Sequence, residues 1–436
     1  MPSLIARGAV GALSSIPRRL LSDTASVGPD GALSVGGCAV ADLAADFGTP
    51  LFVYDEAHLR SRCQEAVAAF GHQRVIYATK AFLCTAMARL AYDEGLLLDV
   101  ASGGELYVAL AAGVPAGACA LHGNNKSQAE LGMAIAAGVR HIVVDSFDEL
   151  DRLDALAASG AGPTPKVLLR ITPGVHAHTH EFIATGQDDS KFGFNLGNGD
   201  ALRAVDRARR SSSVELVGLH CHIGSNVFEA ASFAKAAEVM ADFAVPLDLA
   251  ELVLGGGLGV AYVESEEAPT ITQWGNVLLD ACDALGVRSN VSVEPGRSIV
   301  AAAAMTVYTV GTIKEIPGVR TYVAVDGGMS DNPRPVLYGS GYESFLPRSV
   351  DAERTLTARL VGKHCESGDV LIEATQLPDP RRGDLLAVAA TGAYSLSMAS
   401  HYNAVPFPAA VLVDDGGSAM IARRSDPPEL AGFESA

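Results

Sequence analysis

The sequence predicts a (β/α)8 barrel of the TIM type followed by a C-terminal β domain, an α/β plus β fold. Eight short apolar runs recur between Val75 and Gly296, and amphipathic segments separate the first five. After about Ala304 the runs are divided by Gly, Pro and Asp turns, which is typical of an all-β domain. A near-continuous apolar run indicates a strand covered on both faces, as a barrel requires. An open doubly wound sheet is the alternative.

The barrel strands are expected at VIYATK (75–80), LLLDVAS (96–102), ACALHG (118–123), HIVVDS (141–146), KVLLRI (166–171), LVGLHCHIG (216–224), LVLGGG (252–257) and VSVEPG (291–296). The segments between the first five runs, such as KSQAELGMAIAAG, are amphipathic and end in a glycine suited to a helix C-cap. Ser146 and Glu149 predict a capping box at the start of the fourth of these helices.

Four regions follow from these patterns. Residues 1–24 are expected to be a disordered N-terminal extension, residues 25–48 a strand region that joins the β domain, residues 49–304 the barrel, and residues 305–436 the β domain. The pieces GALSVGG and TPLFVYD resemble strands and precede the barrel, so we expect the β domain to recruit an N-terminal strand. The β domain itself is expected to be a sandwich or a Greek-key barrel.

Composition narrows the function classes. The chain has 436 residues and a formal net charge of −18, which argues against nucleic acid or an anionic membrane as partner. Its seven cysteines are odd in number and form no CxxC pair, which indicates reduced thiols and a cytoplasmic protein. No zinc-site spacing is present, so we expect no metal. The longest apolar run, IVAAAAMTVYTVG, is too short to span a bilayer.

Polar residues stand at the ends of the apolar runs, where barrel enzymes collect their active sites. They are Lys80, Asp99 with Ser102, His122 with Asn124, Asp145, Arg170, His220 with His222, Gly255 to Gly257, and Glu294 with Arg297. Each has a structural explanation on its own, as a helix cap, a core histidine or an ion pair. Their agreement over eight strand ends favours a functional site.

The glycines and the lysine indicate the chemistry. LGGGLG and EPGR follow consecutive runs and offer backbone amides of the kind that bind phosphate after strands seven and eight of a barrel. Together with Lys80, which could form an imine with a phosphorylated aldehyde, they predict pyridoxal 5'-phosphate. Glu294 is the candidate to keep the pyridine nitrogen protonated, and His222 could stack on the ring face.

The motifs YATKAF, SGGEL, HGNNKS, DSKFGF, HCHIGSN, GGGLG, EPGR, DGGMSDNPRPVLYG, GKHCESGD and TGAYSLSMASHYN occur in this order between Thr49 and Pro408. They resemble those of the diaminopimelate decarboxylases, fold type III pyridoxal-phosphate enzymes. The resemblance implies a homodimer that converts meso-2,6-diaminopimelate to L-lysine and carbon dioxide through an external aldimine, the last step of lysine biosynthesis. Leu258, where many relatives carry an aromatic residue, and Asn226, where glutamine is frequent, depart from the pattern.

The resemblance also implies roles for individual residues. The catalytic residues would be Lys80 as carrier of the imine, Cys365 as proton donor, His222 and Glu294. The cofactor-binding residues would be Lys80, Asp99, Arg170, His222, Ser225, Gly256, Gly257, Glu294, Pro295, Gly296, Arg297 and Tyr394. The substrate-binding residues would be Arg297, Arg334, Tyr338, Glu366 and Tyr394. In the resembled family the positions of Cys365 and Glu366 reach the neighbouring subunit, which implies an active site shared across the dimer interface.

Selectivity would depend on the far end of the substrate, which carries a second carboxylate and a second ammonium. The guanidinium groups of Arg297 and Arg334 could each bind that carboxylate through two N–H groups, and Glu366 offers a counter-charge for the ammonium.

Three other functions compete. An alanine racemase would need a less polar pocket, a metal-dependent hydrolase with HAHTH and HCH as ligands would leave the phosphate glycines unused, and a non-enzymatic pyridoxal-phosphate carrier would give the β domain with CESGD no purpose.

Overall fold

The computed structural model of the chain describes residues 16–160, 162–174 and 189–428. The chain divides into two compact units. The barrel unit comprises Arg60–Val260 and Glu267–Val300, and the sheet unit comprises Met1–Leu59, Ala261–Glu266 and Ala301–Ala436. Within the described ranges, no helix is both long and apolar enough to cross a membrane.

The strands are β1 (Ser26–Val27), β2 (Leu33–Val35), β3 (Cys38–Ala39), β4 (Leu51–Asp55), β5 (Ile76–Ala78), β6 (Leu97–Val100), β7 (Cys119–Leu121), β8 (His141–Val144), β9 (Lys166–Thr172), β10 (Phe194–Asn195), β11 (Glu215–His220), β12 (Glu251–Val253), β13 (Asn290–Ser292), β14 (Ala304–Ile316), β15 (Arg320–Val325), β16 (Ser344–Phe345), β17 (Leu356–Val361), β18 (Val370–Leu377), β19 (Leu385–Val388), β20 (Ala409–Asp414) and β21 (Gly417–Ala422). The helices are α1 (Val40–Phe47), α2 (Glu56–Phe70), α3 (Thr85–Asp93), α4 (Gly103–Ala111), α5 (Gln128–Ala137), α6 (Phe147–Ala158), α7 (Asp200–Arg210), α8 (Ala230–Ala244), α9 (Ile271–Ala284), α10 (Arg297–Val300) and α11 (Arg334–Tyr338).

Parallel strands form a closed ring in the barrel unit. Their order is β13, β12, β11, β9, β8, β7, β6 and β5, with the short β10 beside β9. The ring closes where Val75 bridges in parallel to Val293, whose carbonyl accepts the Ile76 N–H at 2.8 Å. Closure confirms the predicted barrel and excludes the open doubly wound sheet, in which the first and last strands would not meet.

Each predicted run contains a barrel strand, but most strands end before their runs do. β5 is buried throughout and ends at Ala78, and Lys80 lies in the short 3-10 turn Thr79–Ala81 that follows. The expectation that the first barrel strand extends through Lys80 is therefore wrong. The polar residues that end the runs leave the sheet at the carboxyl ends of the strands, which we call the rim.

The predicted capping box at α6 forms only in part. Ser146 Oγ accepts the Glu149 N–H at 3.2 Å, as expected. The Glu149 carboxylate turns inward, where it accepts the Asp145 N–H at 3.2 Å and pairs with Lys126 Nζ at 2.8 Å. Lys126 and Glu149 are both buried, and an unpaired buried charge costs more than a missing cap bond. The Glu149 carboxylate therefore pairs with the Lys126 ammonium and does not complete the capping box.

The sheet unit confirms the predicted β domain. Its main sheet has the order β18, β17, β15, β14, β4, β20 and β21, with β19 beside β14 and β16 beside β19. β4 pairs with β14 and β20, so an N-terminal strand does complete this sheet. The predicted boundary at residue 49 placed β4 in the barrel instead. The reason is that the buried run LFVYD has the continuous apolar pattern of a barrel strand.

Residues 16–24 are ordered, contrary to the expectation of a disordered extension through residue 24. A 3-10 turn forms at Arg18–Leu20, and Ile16 and Leu21 are buried in the core cluster of the sheet unit. The few apolar residues of this segment are too irregularly spaced to predict an element, yet burying them against an existing core is favourable. Residues 1–15 lie outside the described ranges.

A buried carboxyl in the sheet unit makes stability depend on pH. Burial raises the pKa of Asp331 to about 7, although Tyr308 Oη and the Gly328 N–H donate to it. Because an unfolded aspartate has a pKa of about 3.9, stability present below that pH is lost as the pH rises toward 7. We expect the urea midpoint to fall over this range, and Asp331→Asn to flatten the slope. The exposed Asp415→Asn is the control, and an equal slope in both variants would contradict this assignment.

Candidate active site at the rim of the barrel

Buried ionisable side chains meet at the rim of the barrel unit. Asp99 lies in β6, His122 follows β7, His220 ends β11 and Glu294 follows β13, and all four are buried. Parallel barrel strands end on the same side of the ring, so residues far apart in the sequence converge there. We call these four residues the carboxylate–histidine cluster.

Glu294 lies between two imidazoles of the cluster. Its Oε2 is 3.0 Å from His220 Nε2 in a hydrogen bond, and its Oε1 is 3.2 Å from His122 Nε2 in an ion-pair contact. His122 Nε2 is also 3.7 Å from Asp99 Oδ1, and the two histidine rings meet edge to face with centroids 5.0 Å apart. Glu294 Oε1 accepts no hydrogen bond from the residues that the structure describes.

The cluster fixes the charge of Glu294. Burial alone would raise the pKa of this carboxyl, but His220 and His122 hold it well below its usual range. Burial would lower the pKa of His122, but Asp99 and Glu294 raise it, which favours the charged form of this imidazole. Burial lowers the pKa of His220 to about 4, so its ring is neutral and donates its Nε2–H to Glu294. Glu294 is therefore anionic, with one oxygen able to accept a further donor.

Lys80 presents an exposed amine at the same rim. Thr79 anchors its turn, because Thr79 Oγ1 donates to the Asp99 carbonyl at 2.6 Å. Burial and the Lys80 ammonium lower the pKa of His222 well below its usual range, so that imidazole is neutral. Lys80 thus lies at the rim beside a neutral histidine.

The glycine run after β12 packs closely on its neighbours. A Cβ at Gly256 would collide with the carbonyl of Glu294, and one at Gly257, whose φ is 107°, would collide with the carbonyl of Gly224. Glycine is therefore required at both positions. The Gly256 N–H donates to His222 Nδ1 at 3.2 Å, which fixes the ring and assigns the proton of the neutral imidazole to Nε2.

The EPGR loop joins the glycine run to β5. The Ala78 N–H donates to the Pro295 carbonyl at 3.0 Å, and a Cβ at Gly296 would lie 3.0 Å from Ala78 Cβ. Arg297 begins α10 and donates from its guanidinium to Ser225 Oγ at 2.8 Å. The structure thus brings the predicted phosphate-side residues together at the rim.

Arg170 lies in β9 and is anchored from two sides. Its Nε is 3.9 Å from Asp145 Oδ1, and its guanidinium carbon lies 4.1 Å from the centroid of the Phe192 ring. Asp145 Oδ1 also accepts the Gly193 N–H at 3.0 Å. Arg170 lowers the pKa of Asp99, and Glu294 acts to raise the pKa of Arg170, so the guanidinium belongs to the same group of charges.

The other predicted site residues belong to the sheet unit. Arg334 and Tyr338 lie in α11, Tyr394 lies in the segment after β19, and Cys365 and Glu366 lie in the exposed loop between β17 and β18. Burial would lower the pKa of Arg334, but Tyr262, Tyr342 and Tyr394 raise it. Arg334 and Tyr394 therefore lie near each other.

Arg334 is a buried guanidinium that none of the described carboxylates contacts. It is 3% exposed and donates to Tyr342 Oη and, at 3.2 Å, to Ser340 Oγ. Its guanidinium carbon lies 4.1 Å from the centroid of the Tyr262 ring. No carboxylate in the described part of the chain lies within 4.0 Å of it. A buried charge without a counter-ion is costly, so this arrangement suits an anionic ligand.

Sequence reasoning missed several of these relationships. It named His122 and His220 at strand ends but gave neither a role, and no local pattern marks Tyr262 or Tyr342. His122, His220 and Glu294 place ligand atoms within 4.8 Å of one another, a group that could hold a metal ion, but His222 is not part of it. The HCH motif therefore does not act as one ligand pair, and HAHTH at 176–180 lies outside the described residues.

Comparisons with known proteins identify relatives over nearly the whole chain. The family described as pyridoxal-dependent decarboxylase, pyridoxal binding domain, matches residues 56–301. The diaminopimelate decarboxylase of Mycobacterium tuberculosis is 46% identical over 425 residues, which is 93% of this chain and 95% of that protein. That of Bacillus subtilis is 45% identical over 424 residues, with the same coverage. The crystal structure of the M. jannaschii diaminopimelate decarboxylase in complex with L-lysine has a TM-score of 0.89 at 33% identity, covering 95% of this chain and 98% of that chain.

Proposed function

The chain belongs to the family of pyridoxal-dependent diaminopimelate decarboxylases, and on that premise we propose how its residues carry out the family's reaction. It is a pyridoxal-phosphate-dependent decarboxylase that converts meso-2,6-diaminopimelate to L-lysine and carbon dioxide, the last step of lysine biosynthesis. The observation that carries the substrate assignment is the buried Arg334 guanidinium, which has no carboxylate beside it among the described residues, because this substrate keeps a carboxylate at the end that does not react.

The residues of the barrel unit fit pyridoxal 5'-phosphate. The anionic Glu294 has an oxygen that accepts no hydrogen bond within the described residues, which suits a protonated ring nitrogen. The glycine run leaves no room for a Cβ at Gly256 or Gly257 and suits a close approach of phosphate to the backbone. The bound cofactor supplies an electron sink for the electron pair left when carbon dioxide departs. The proposed binding residues of this unit are Lys80, Asp99, Arg170, His222, Ser225, Gly256, Gly257, Glu294, Pro295, Gly296 and Arg297. Tyr394 of the sheet unit is proposed as a further cofactor-binding residue.

Each residue at the rim has a physical task. Lys80 would hold the cofactor through its amine. Glu294 would accept a hydrogen bond from a protonated ring nitrogen, because its low pKa keeps it anionic. His122 and His220 hold Glu294 in place, since both imidazoles contact its carboxylate and His220 is a neutral donor. His222 is neutral, so it can lie against the ring without adding a charge.

Cys365 is the proposed proton donor to the carbon that loses carbon dioxide. It is exposed in the loop after β17, and its backbone N–H donates to Asn403 Oδ1 at 3.1 Å, which supports a defined loop conformation. Glu366 beside it offers a counter-charge for the distal ammonium of the substrate. We propose that the protein is a homodimer in which this loop serves the active site of the partner subunit.

All seven cysteines are unpaired, including those buried in the barrel unit. Burial raises the pKa of Cys63 and of Cys221 to about 12, so these thiols are unreactive. Free thiols in this number are usual in a reducing compartment, which supports a cytoplasmic location.

Arg334→Met is expected to weaken the use of diaminopimelate without releasing the cofactor. Loss of one partner of a buried charge-assisted contact costs roughly 2–5 kcal/mol, which would appear in kcat/KM for lysine formation. The control is Arg381→Met, because Arg381 is exposed and its guanidinium pairs with the exposed Asp379. Mass spectrometry measures L-lysine, and absorbance measures bound cofactor.

Two results would contradict the proposal. If Arg334→Met lost cofactor in proportion to activity, Arg334 would belong to cofactor binding rather than to the substrate. If the native protein decarboxylated L-ornithine or L-arginine as efficiently as meso-2,6-diaminopimelate, a distal carboxylate would not be recognised and the substrate assignment would be wrong.

A further inference from the structure

Two buried tyrosines enclose the Arg334 guanidinium. The Tyr262 ring lies under it, with 4.1 Å between the guanidinium carbon and the ring centroid, and the corresponding distance to Tyr342 is 5.4 Å. The two rings meet edge to face at 5.3 Å and 74°. Both tyrosines are 2% exposed. The guanidinium therefore contacts an aromatic surface that is itself packed in place.

Hydrogen bonds fix the orientation of the guanidinium within its plane. One terminal nitrogen donates to Tyr342 Oη, and the other donates to Ser340 Oγ at 3.2 Å. A carboxylate binds best to two parallel N–H groups, which requires the guanidinium plane to stand in one orientation. With one face covered by Tyr262 and both terminal nitrogens held, Arg334 is preorganised before a carboxylate arrives, which reduces the entropic cost of binding.

Tyr262 is held although it lies in neither a helix nor a strand. Its N–H donates to Glu266 Oε2 at 2.7 Å within the short segment Ala261–Glu266. Arg19 crosses to this segment and donates to the carbonyl oxygens of Glu264 and Glu266. The ordered N-terminal segment therefore helps to keep the Tyr262 ring against the guanidinium.

We propose that Tyr262 and Tyr342 are positioning residues that orient Arg334 for the distal carboxylate and thereby set the preference for substrates that carry one. This inference rests on the proposed function, in which Arg334 receives that carboxylate. Both tyrosines act through Arg334, and no bond forms or breaks at either. Tyr342 contributes its hydroxyl, and Tyr262 contributes the face of its ring.

The test compares two competitive inhibitors of the holoenzyme. L-Lysine keeps the distal carboxylate, and 1,5-diaminopentane is the same chain without it. We expect Tyr342→Phe to weaken inhibition by L-lysine about tenfold, the effect of losing a hydrogen bond to a charged group. We expect Tyr262→Leu to weaken it roughly 3–30-fold through the lost cation–π contact, and Tyr262→Phe, which keeps the ring, to bind L-lysine like the native enzyme. Inhibition by 1,5-diaminopentane should not change.

Equal weakening of both inhibitors would show a general disturbance and overturn the proposal, as would unchanged L-lysine inhibition in Tyr342→Phe. Arg334→Met separates these failures from a failure of the proposed function. If Arg334→Met leaves L-lysine inhibition unchanged, the role of Arg334 is wrong. If Arg334→Met weakens it and the tyrosine variants do not, only the positioning role is wrong. Tyr342→Phe removes a single hydroxyl, so it decides the matter even if Tyr262→Leu does not fold.

Discussion

Lys80→Ala is expected to abolish both covalent attachment of the cofactor and lysine formation. Lys80 is exposed on the turn after β5 and acts electrostatically on Asp99 and His222, so it lies where the proposed chemistry takes place. The buried Lys126 cannot replace it, because Lys126 is paired with Glu149 at 2.8 Å. Without the amine that forms the covalent bond, essentially no lysine formation should remain.

Borohydride reduction followed by peptide mass spectrometry measures the attachment, and the release of L-lysine measures turnover. Lys166→Ala is the matched control, because Lys166 is an exposed lysine at the first residue of β9, at the opposite end of a barrel strand. It should retain both properties. Turnover of Lys80→Ala at the native rate, or a reduced adduct on another lysine of the native protein, would show that Lys80 is not the carrier.

The barrel could be predicted because its strands have a distinctive sequence pattern. Strands covered on both faces become continuous apolar runs, and the residues that end those runs must converge at one rim. The same pattern explains the error at β4. Leu51–Asp55 is as apolar as any barrel strand, yet its hydrogen bonds go to β14 and β20, and the choice of pairing partner is not encoded in the run itself.

The sequence indicated which residues belong to the site more readily than it indicated which side chains contact one another there. Glu294 stood out as the acid of EPGR, but its contacts with His122 and His220 depend on how β7, β11 and β13 are placed around the ring. Tyr262 has no periodic signal because it lies in a connecting segment, and Glu149 fits a capping box until the buried Lys126 competes for its carboxylate. Local rules fail where a tertiary contact offers the same group a stronger partner.

Mixing two inactive variants is expected to restore activity if the active site is shared. In the proposed homodimer each site would use Lys80 of one chain and Cys365 of the other, so Lys80→Ala and Cys365→Ala should each be inactive alone. In a mixed dimer both lesions fall in one site and the second site is intact. Random pairing makes half the dimers mixed, each with one working site of two, so activity should approach about one quarter of the native value.

The control mixes Lys80→Ala with Glu294→Ala. Both residues belong to the barrel unit, so a mixed dimer would contain one lesion in each site and no activity should return. Native mass spectrometry of differently tagged chains establishes that subunits have exchanged. If mixed dimers of Lys80→Ala and Cys365→Ala form and remain inactive, Cys365 acts on its own chain or has no part in the reaction. If activity returns when Lys80→Ala is mixed with Cys365→Ala but not when it is mixed with Glu294→Ala, the lysine and the cysteine of one site must come from different chains.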